Sequence, residues 1–288
     1  MWWLVKKEHK KLGLDIGGIT ISLHFSNHNF FKIVSKHYHP FVSGNPGEYS
    51  ISIEVDKKKC REEFVRFGLG PLAPEAPPRL LRIEGNDGYL IQLQGAFAKI
   101  DQEGDSTYAL FDRMNPTALD SIIRIVCSRL SLRSNGLLIH SAGIGVDGRG
   151  MVFVGPSESG KSTIAKLAPK SYTVLTDELS LVRKKKGQFW VFGTPFAGFR
   201  REFGANFGAP LYAVFLNQKD NTNYLEPVSL SLSLKEVVSN SLLFEADPNR
   251  MEDFMKIAEE LVSAVPCYKF HFKPTVDLWE VIPDDKTQ

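Results

Sequence analysis

Cysteine is scarce in this chain: Cys60, Cys127 and Cys267 are the three in 288 residues. They are odd in number and far apart, which excludes a disulfide framework. The seven histidines, including the pair His37 and His39, add no Cys/His cluster with zinc spacing. Long apolar runs are also missing, and none approaches the roughly 18 residues needed to cross a bilayer. The first residues, Met1-Trp2-Trp3-Leu4-Val5-Lys6-Lys7, lack the apolar stretch and cleavage site of a secretory signal. An excess of one charge is absent too. Lys and Arg number 35 against 33 Asp and Glu, so a formal net charge of +2 argues against nucleic acid or an anionic membrane as main partner. The basic run Arg183-Lys184-Lys185-Lys186-Gly187 lies between two strand-like segments and reads as a solvated hairpin tip. With 43% hydrophobic and 24% charged residues, the chain has the composition of a soluble globular protein of one large domain or two smaller ones. The cytoplasm is its default location.

What is there is concentrated at one place. Residues 155–163 read Gly155-Pro156-Ser157-Glu158-Ser159-Gly160-Lys161-Ser162-Thr163, which fills every required position of the phosphate-binding pattern G-x-x-x-x-G-K-[ST]. The context agrees. Met151-Val152-Phe153-Val154 is a β-type run before it, and Thr163 to Ala168 is a helix candidate after it that Pro169 stops. Backbone N–H groups of such a loop form an anion nest. Gly155 and Gly160 let the backbone approach a phosphate, Lys161 can reach the β and γ phosphates, and the Ser162 hydroxyl can ligate Mg²⁺. The chain is therefore expected to bind a nucleotide, with ATP and Mg²⁺ as cofactors.

Around the loop, two regions are expected. Residues 1–113 read as short β-strands. Ile19–Phe25 and Tyr49–Val55 alternate with period two, and Leu80–Glu84 and Tyr89–Leu93 flank Gly85-Asn86-Asp87-Gly88 as a hairpin. Pro71 to Pro78 is a Pro-rich loop. A helix capped by Asn115, with Pro116 in its first turn, leads into residues 114–288, where strands and helices mix. Strands are expected at Leu137–His140, Tyr172–Thr176 and Leu211–Leu216. A hairpin joins Leu179–Arg183 to Phe189–Phe192, helices cover about Leu234–Leu243 and Pro248–Ala264, and Tyr268–Phe272 is a final strand. The fold class is α/β with α+β character.

A nucleotide site needs a second carboxylate for the metal or the nucleophile. Asp177-Glu178 follows a β-type run that could lie parallel beside the P-loop strand, which would bring the pair near a γ-phosphate. Asp177 could then accept a proton from an attacking hydroxyl, and Glu178 could hold Mg²⁺ together with Ser162. The competing reading is two surface turn carboxylates. His140 ends its strand just upstream and could touch Asp177 or a phosphate, or could be a core histidine bonded to backbone.

The order of a strand histidine, a glycine turn (Gly148, Gly150), the P-loop and the pair Asp177-Glu178 resembles the C-terminal domain of the HPr serine kinase/phosphorylase family. The resemblance covers residues 114–282. It implies a P-loop core of the HPr-kinase and phosphoenolpyruvate-carboxykinase type with a smaller β-rich N-terminal region. It also implies Asp177 as base, assisted by His140. That family's second carboxylate is aspartate, where this chain has Glu178. The segments Phe192-Gly193-Thr194-Pro195-Phe196-Ala197-Gly198, Gly208–Leu211 and Val265–Phe270 resemble divergent relatives rather than the bacterial regulator itself. The regulator's glutamate- and arginine-bearing segment is absent, and Arg200 and Arg201 are candidates for the missing positive charge.

The function this implies is an ATP-dependent kinase acting on a hydroxyl of a peptide, a protein or a small molecule. Relatives that modify ribosomal peptides make a peptide serine a reasonable acceptor by analogy. The alternative is a catalytically inactive nucleotide-binding scaffold or regulatory module; retention of Asp177, Lys161 and His140 favours the enzyme. A transport or motor ATPase would carry its second acidic motif farther downstream. The resemblance leaves a homo-oligomer open, as kinases of the parent family form hexamers, but no interface is readable in the sequence.

Overall fold

The structure is a computed structural model. It describes residues 9–45, 47–73, 76–83, 88–101, 105–196, 204–245 and 247–282. The turn Asn86-Asp87 of the expected hairpin, and Arg200 and Arg201, lie outside the described residues. The chain divides into two compact units, residues 1–126 and 127–288. Both mix helices with large mixed sheets, the α/β class expected from the sequence.

The first unit holds one eight-stranded sheet. Its strands are β1 (Lys10–Ile16), β2 (Ile19–Phe25), β3 (Val42–Ser43), β4 (Tyr49–Val55), β5 (Arg79–Arg82), β6 (Tyr89–Leu93), β7 (Ala96–Ile100) and β8 (Ser106–Phe111). Their spatial order is β3-β1-β2-β4-β8-β7-β6-β5. A two-residue turn joins β1 to β2 with both Gly17 and Gly18 at positive φ, as a I′ hairpin requires. The period-two burial expected of β2 is present: Ile19, Ile21, Leu23 and Phe25 are all buried.

This unit also contains two helices where only strands were expected. Helix α1 (His28–His37) links the parallel neighbours β2 and β4, which a tight turn cannot join. Asn27 caps it by accepting a hydrogen bond from the Phe30 N–H, and Phe30 and Val34, one turn apart, are buried. Helix α2 (Lys57–Arg66) is capped by Asp56 and buries Cys60 alone. Its run Lys57-Lys58-Lys59-Cys60-Arg61-Glu62-Glu63 has too little apolar periodicity to announce a helix. Helix α3 (Pro116–Arg133) spans the division between the units. Asn115 caps it as expected, its Oδ1 accepting from the Ala118 N–H at 3.1 Å.

The second unit is built on β9 (Gly136–Val146), β10 (Arg149–Val154), β11 (Thr173–Thr176), β12 (Leu179–Lys185), β13 (Gln188–Phe192), β14 (Gly208–Lys219), β15 (Tyr224–Pro227) and β16 (Cys267–Phe272). Its helices are α4 (Lys161–Lys166), α5 (Leu230–Ser239) and α6 (Pro248–Ala264). The sheet curls back on itself. Strand β14 pairs with β13 at its start, then runs parallel to both β10 and β16. The basic run is a hairpin tip, with Lys186 and Gly187 at positive φ between β12 and β13.

Alternation along β10 and β14 buries both faces of this sheet. Val152, Val154, Val214 and Leu216 pack on one side with Phe254, Ile257, Ala258 and Leu261 of α6. Met151, Phe153, Ala213 and Phe215 face the other side, toward Ile164, Phe270, Phe272 and Trp279. The loop that follows Val154 thus leaves a strand fixed on both faces. Helix α5 begins at Leu230, not near Leu234 as the apolar pattern suggests. The Ser229 hydroxyl caps it, and beyond its end Leu242 donates its N–H to the Leu138 carbonyl instead of continuing the helix.

Three local expectations need correction. Strand β11 does not lie beside the P-loop strand. Both edges of β10 are taken, by antiparallel β9 and parallel β14, so β11 pairs antiparallel with the far edge of β9. His140 does not end a strand. It sits inside the eleven-residue β9, where pairing passes from β12 to β10 and β11. The helix after the P-loop begins at Lys161 and ends at Lys166, where the Trp279 indole N–H donates to the Leu167 carbonyl.

Candidate functional site

Between β10 and α4 the chain makes the tight loop of residues 155–160. Two features shape it. Glu158 (φ 65°) and Gly160 (φ 97°) both take left-handed backbone. At Gly160 a Cβ would also stand 2.5 Å from the Phe272 ring, so glycine is demanded twice. At Gly155 a Cβ would meet the Ser159 hydroxyl at 2.5 Å. The loop is closed by the Ser159 N–H donating to the Pro156 carbonyl, and α4 opens with the Ile164 N–H on the Gly160 carbonyl.

Lys161 folds back over this loop. Its ammonium donates to the carbonyls of Gly155 (2.8 Å) and Pro156 (2.7 Å). It is 6% exposed. Burial lowers its pKa below the usual lysine range, and the nearby Glu178 carboxylate opposes that shift. Two of its three protons are engaged with the loop, which leaves one for a ligand.

The acidic pair is held from behind. The Thr176 hydroxyl accepts from the N–H groups of Glu178 and Leu179, turning the chain at Asp177-Glu178. The buried Thr194 hydroxyl donates to the Leu179 carbonyl at 2.6 Å, and the Glu178 carbonyl accepts from the Ser141 N–H. Gly193 and Gly204 pack so closely on the Leu175 carbonyl that a Cβ on either would overlap it. A bend with this many constraints presents its two carboxylates in a fixed direction.

Those carboxylates and the P-loop share one cavity of about 620 Å³. Ser157, Glu158, Gly160, Lys161, Ser162 and Thr163 line it on the loop side. Asp177, Glu178 and His140 line it from the strands. Gly155, Pro156 and Ser159 are not among the residues that line it. His140 lies closer to Glu178 than the sequence suggested, its Nε2 3.7 Å from Oε2, and the histidine is half-buried. The Asp177 side chain is 4% exposed, and its Oδ2 has no hydrogen-bond partner among the described residues. A buried acceptor without a donor costs about 1–3 kcal/mol. Such a cost calls for a ligand proton or metal to meet it.

Mg²⁺ prefers oxygen ligands, keeps several waters, and takes one or two carboxylates beside substrate phosphates. Ser162, Glu178 and the unpartnered Asp177 oxygen are oxygen donors of that kind, so the residues fit. Among the described residues no group of three or more His, Cys, Asp or Glu could hold a metal without phosphate oxygens.

The comparisons with known proteins bear on this unit. Residues 112–284 match the family described as SynChlorMet cassette protein ScmC. The chain belongs to that family. The match spans the P-loop, the acidic bend and His140. No curated protein matches the sequence. Among solved structures, the chain is similar to the HPr(Ser) kinase/phosphatase from Coxiella burnetii, at 12% identity over 44% of this chain and 88% of that one. The TM-score of 0.22 is too low for that likeness to carry an argument. No helix among the described residues is long and apolar enough to cross a membrane.

Two residues at the site escaped the sequence reading. Lys219, at the end of β14, lines the same cavity. Asn217, two residues earlier, packs against Gly155, and both polar atoms of its amide are buried without partners among the described residues. Neither belongs to a motif. They reach the P-loop only because β14 runs parallel to β10, with Leu216 opposite Val154.

Proposed function

We propose that this protein is an ATP-dependent kinase that transfers the γ-phosphoryl group to a hydroxyl of a peptide, protein or small molecule. The observation that carries the reading is the shared cavity: a P-loop lysine and serine face two fixed carboxylates, one with a buried, unpartnered oxygen. On this reading residues 114–288 form the catalytic region, and the β-rich region 1–113 is accessory.

The loop of residues 155–163 binds the phosphates through its N–H groups, and the free Lys161 proton neutralises the β- and γ-phosphate oxygens. Ser162 and Glu178 would hold Mg²⁺, which would supply neutralisation of the phosphate charge when bound. Asp177 Oδ2 accepts the proton of the acceptor hydroxyl. The hydroxyl oxygen forms a bond to the γ-phosphorus as the bond to the bridging oxygen breaks, and ADP leaves with that electron pair. His140 stands beside the second carboxylate, its Nε2 3.7 Å from Glu178 Oε2.

The test is incubation with Mg²⁺ and γ-labelled ATP, alone and with lysate fractions from the source, wild type beside Asp177→Asn. Label transfer by wild type that the variant loses supports the kinase. Tight nucleotide binding by both proteins with no transfer to any fraction would replace it with a nucleotide-binding scaffold.

A further inference from the structure

The end of β14 forms a second wall of the nucleotide cavity that nothing in the P-loop pattern anticipates. Strand residues two apart share a face, so Asn217 and Lys219 lie on one side of β14, and both stand at the P-loop: Asn217 against Gly155, Lys219 in the cavity lining. The register places them. Strand β10 leaves the sheet after Val154, opposite Leu216, while β14 continues to Lys219 beside Phe272 of β16. Three further residues carry the chain about 10 Å beyond that last pair. Lys219 therefore rises past the base of the loop, where the inner phosphates of a nucleotide are cradled, toward the open end of the cavity.

Lys219 brings a cation to that wall. The cavity is lined by three carboxylates, Glu158, Asp177 and Glu178, and by two cations, Lys161 and Lys219. Lys161 is buried and bonded to the loop carbonyls. Lys219 is exposed, and its ammonium has no hydrogen bond or ion pair among the described residues. Its neighbour Asp220 is engaged elsewhere, with its Oδ2 2.9 Å from His271 Nδ1, so it does not neutralise the lysine.

We propose that Lys219 binds the terminal phosphate of a nucleoside triphosphate and makes the site select triphosphate over diphosphate. The inference rests on the nucleotide-binding reading above and deepens it. Lys161 serves the β- and γ-phosphates from within the loop. Lys219 meets, from the opposite wall, the one group by which ATP and ADP differ.

The experiment is calorimetric binding of Mg²⁺–ATP and Mg²⁺–ADP to wild type, Lys219→Met, Lys219→Arg and Lys256→Met. Lys256 is an exposed residue of α6, and its variant controls for the loss of one surface charge. A charge-assisted contact to phosphate predicts that Lys219→Met weakens ATP about tenfold or more. ADP should change by less than about twofold, Lys219→Arg should restore most of the ATP affinity, and Lys256→Met should bind as wild type does. An equal loss for both nucleotides, or a loss for neither, overturns the assignment. Unchanged binding with lost phosphoryl transfer also overturns it, and moves Lys219 to the acceptor. If wild type binds neither nucleotide, the nucleotide reading itself falls, a result distinct from all of these.

Discussion

Replacing Asp177 with asparagine should make the protein more stable and less active. The side chain is 4% exposed and its Oδ2 meets no donor among the described residues, while the neighbouring residue, Glu178, carries a second negative charge into the same cavity. An unsatisfied buried acceptor costs about 1–3 kcal/mol, and more when it is charged. Asparagine keeps the shape, removes the charge, and leaves untouched the Thr176, Ser141 and Thr194 hydrogen bonds that hold the bend. The expected gain is therefore between zero and about 3 kcal/mol. Each kcal/mol corresponds to roughly 2–4 °C in Tm for a domain of this size class. On the proposed kinase reading Asp177 is the general base, which contributes about 10²- to 10⁴-fold, so phosphoryl transfer should fall by that factor. Thermal melting monitored by circular dichroism reads the first effect, and γ-phosphoryl transfer the second. Destabilisation by more than about 1 kcal/mol would refute the reasoning, because it would make Asp177 a strut of the bend instead of a strained functional group.

Gly160→Ala forces a side chain into left-handed backbone and against the buried Phe272 ring. The strain and the overlap together should cost about 2–4 kcal/mol in urea unfolding and abolish nucleotide binding. Lys161 has its pKa lowered by burial, so the unfolded chain holds more protons than the folded one in the alkaline window between the lowered value and the ordinary lysine value. Wild-type stability should rise through that window relative to Lys161→Met, and urea midpoints measured from pH 8 to 10.5 that stay parallel would contradict the shift. Thr194→Val keeps the volume but removes the hydroxyl on the Leu179 carbonyl. It should cost about 1 kcal/mol of stability, with a larger fractional loss in phosphoryl transfer as the acidic bend loosens.

The parts of the site that are local in sequence were legible in it. The loop of residues 155–163 announces itself because the motif's requirements fall on consecutive residues, and the left-handed Gly160 and the cavity-lining Lys161 and Ser162 stand where the motif puts them. The caps at Asn115 and Asp247 and the hairpin at Lys186-Gly187 were readable for the same reason: each is fixed by residues within one turn. Where the local signal is weak or overruled, the reading failed. Helix α2 buries one residue, so it leaves almost no periodic trace. Helix α5 starts at the Ser229 cap and yields at its far end to the pairing of Leu242 with Leu138, residues a hundred positions apart.

Strand adjacency belongs to the same class, because hydrogen-bond partners in a sheet are chosen by the whole fold and leave no mark on the strands that pair. The sequence supplied Asp177-Glu178 and the loop, but not the placement of β9 between β10 and β11. Nor did it show that β14 would run beside β10 and carry Asn217 to Gly155 and Lys219 to the cavity. Short-range geometry made the motif; the curling of one sheet around β9 and β14 decided which distant residues complete it.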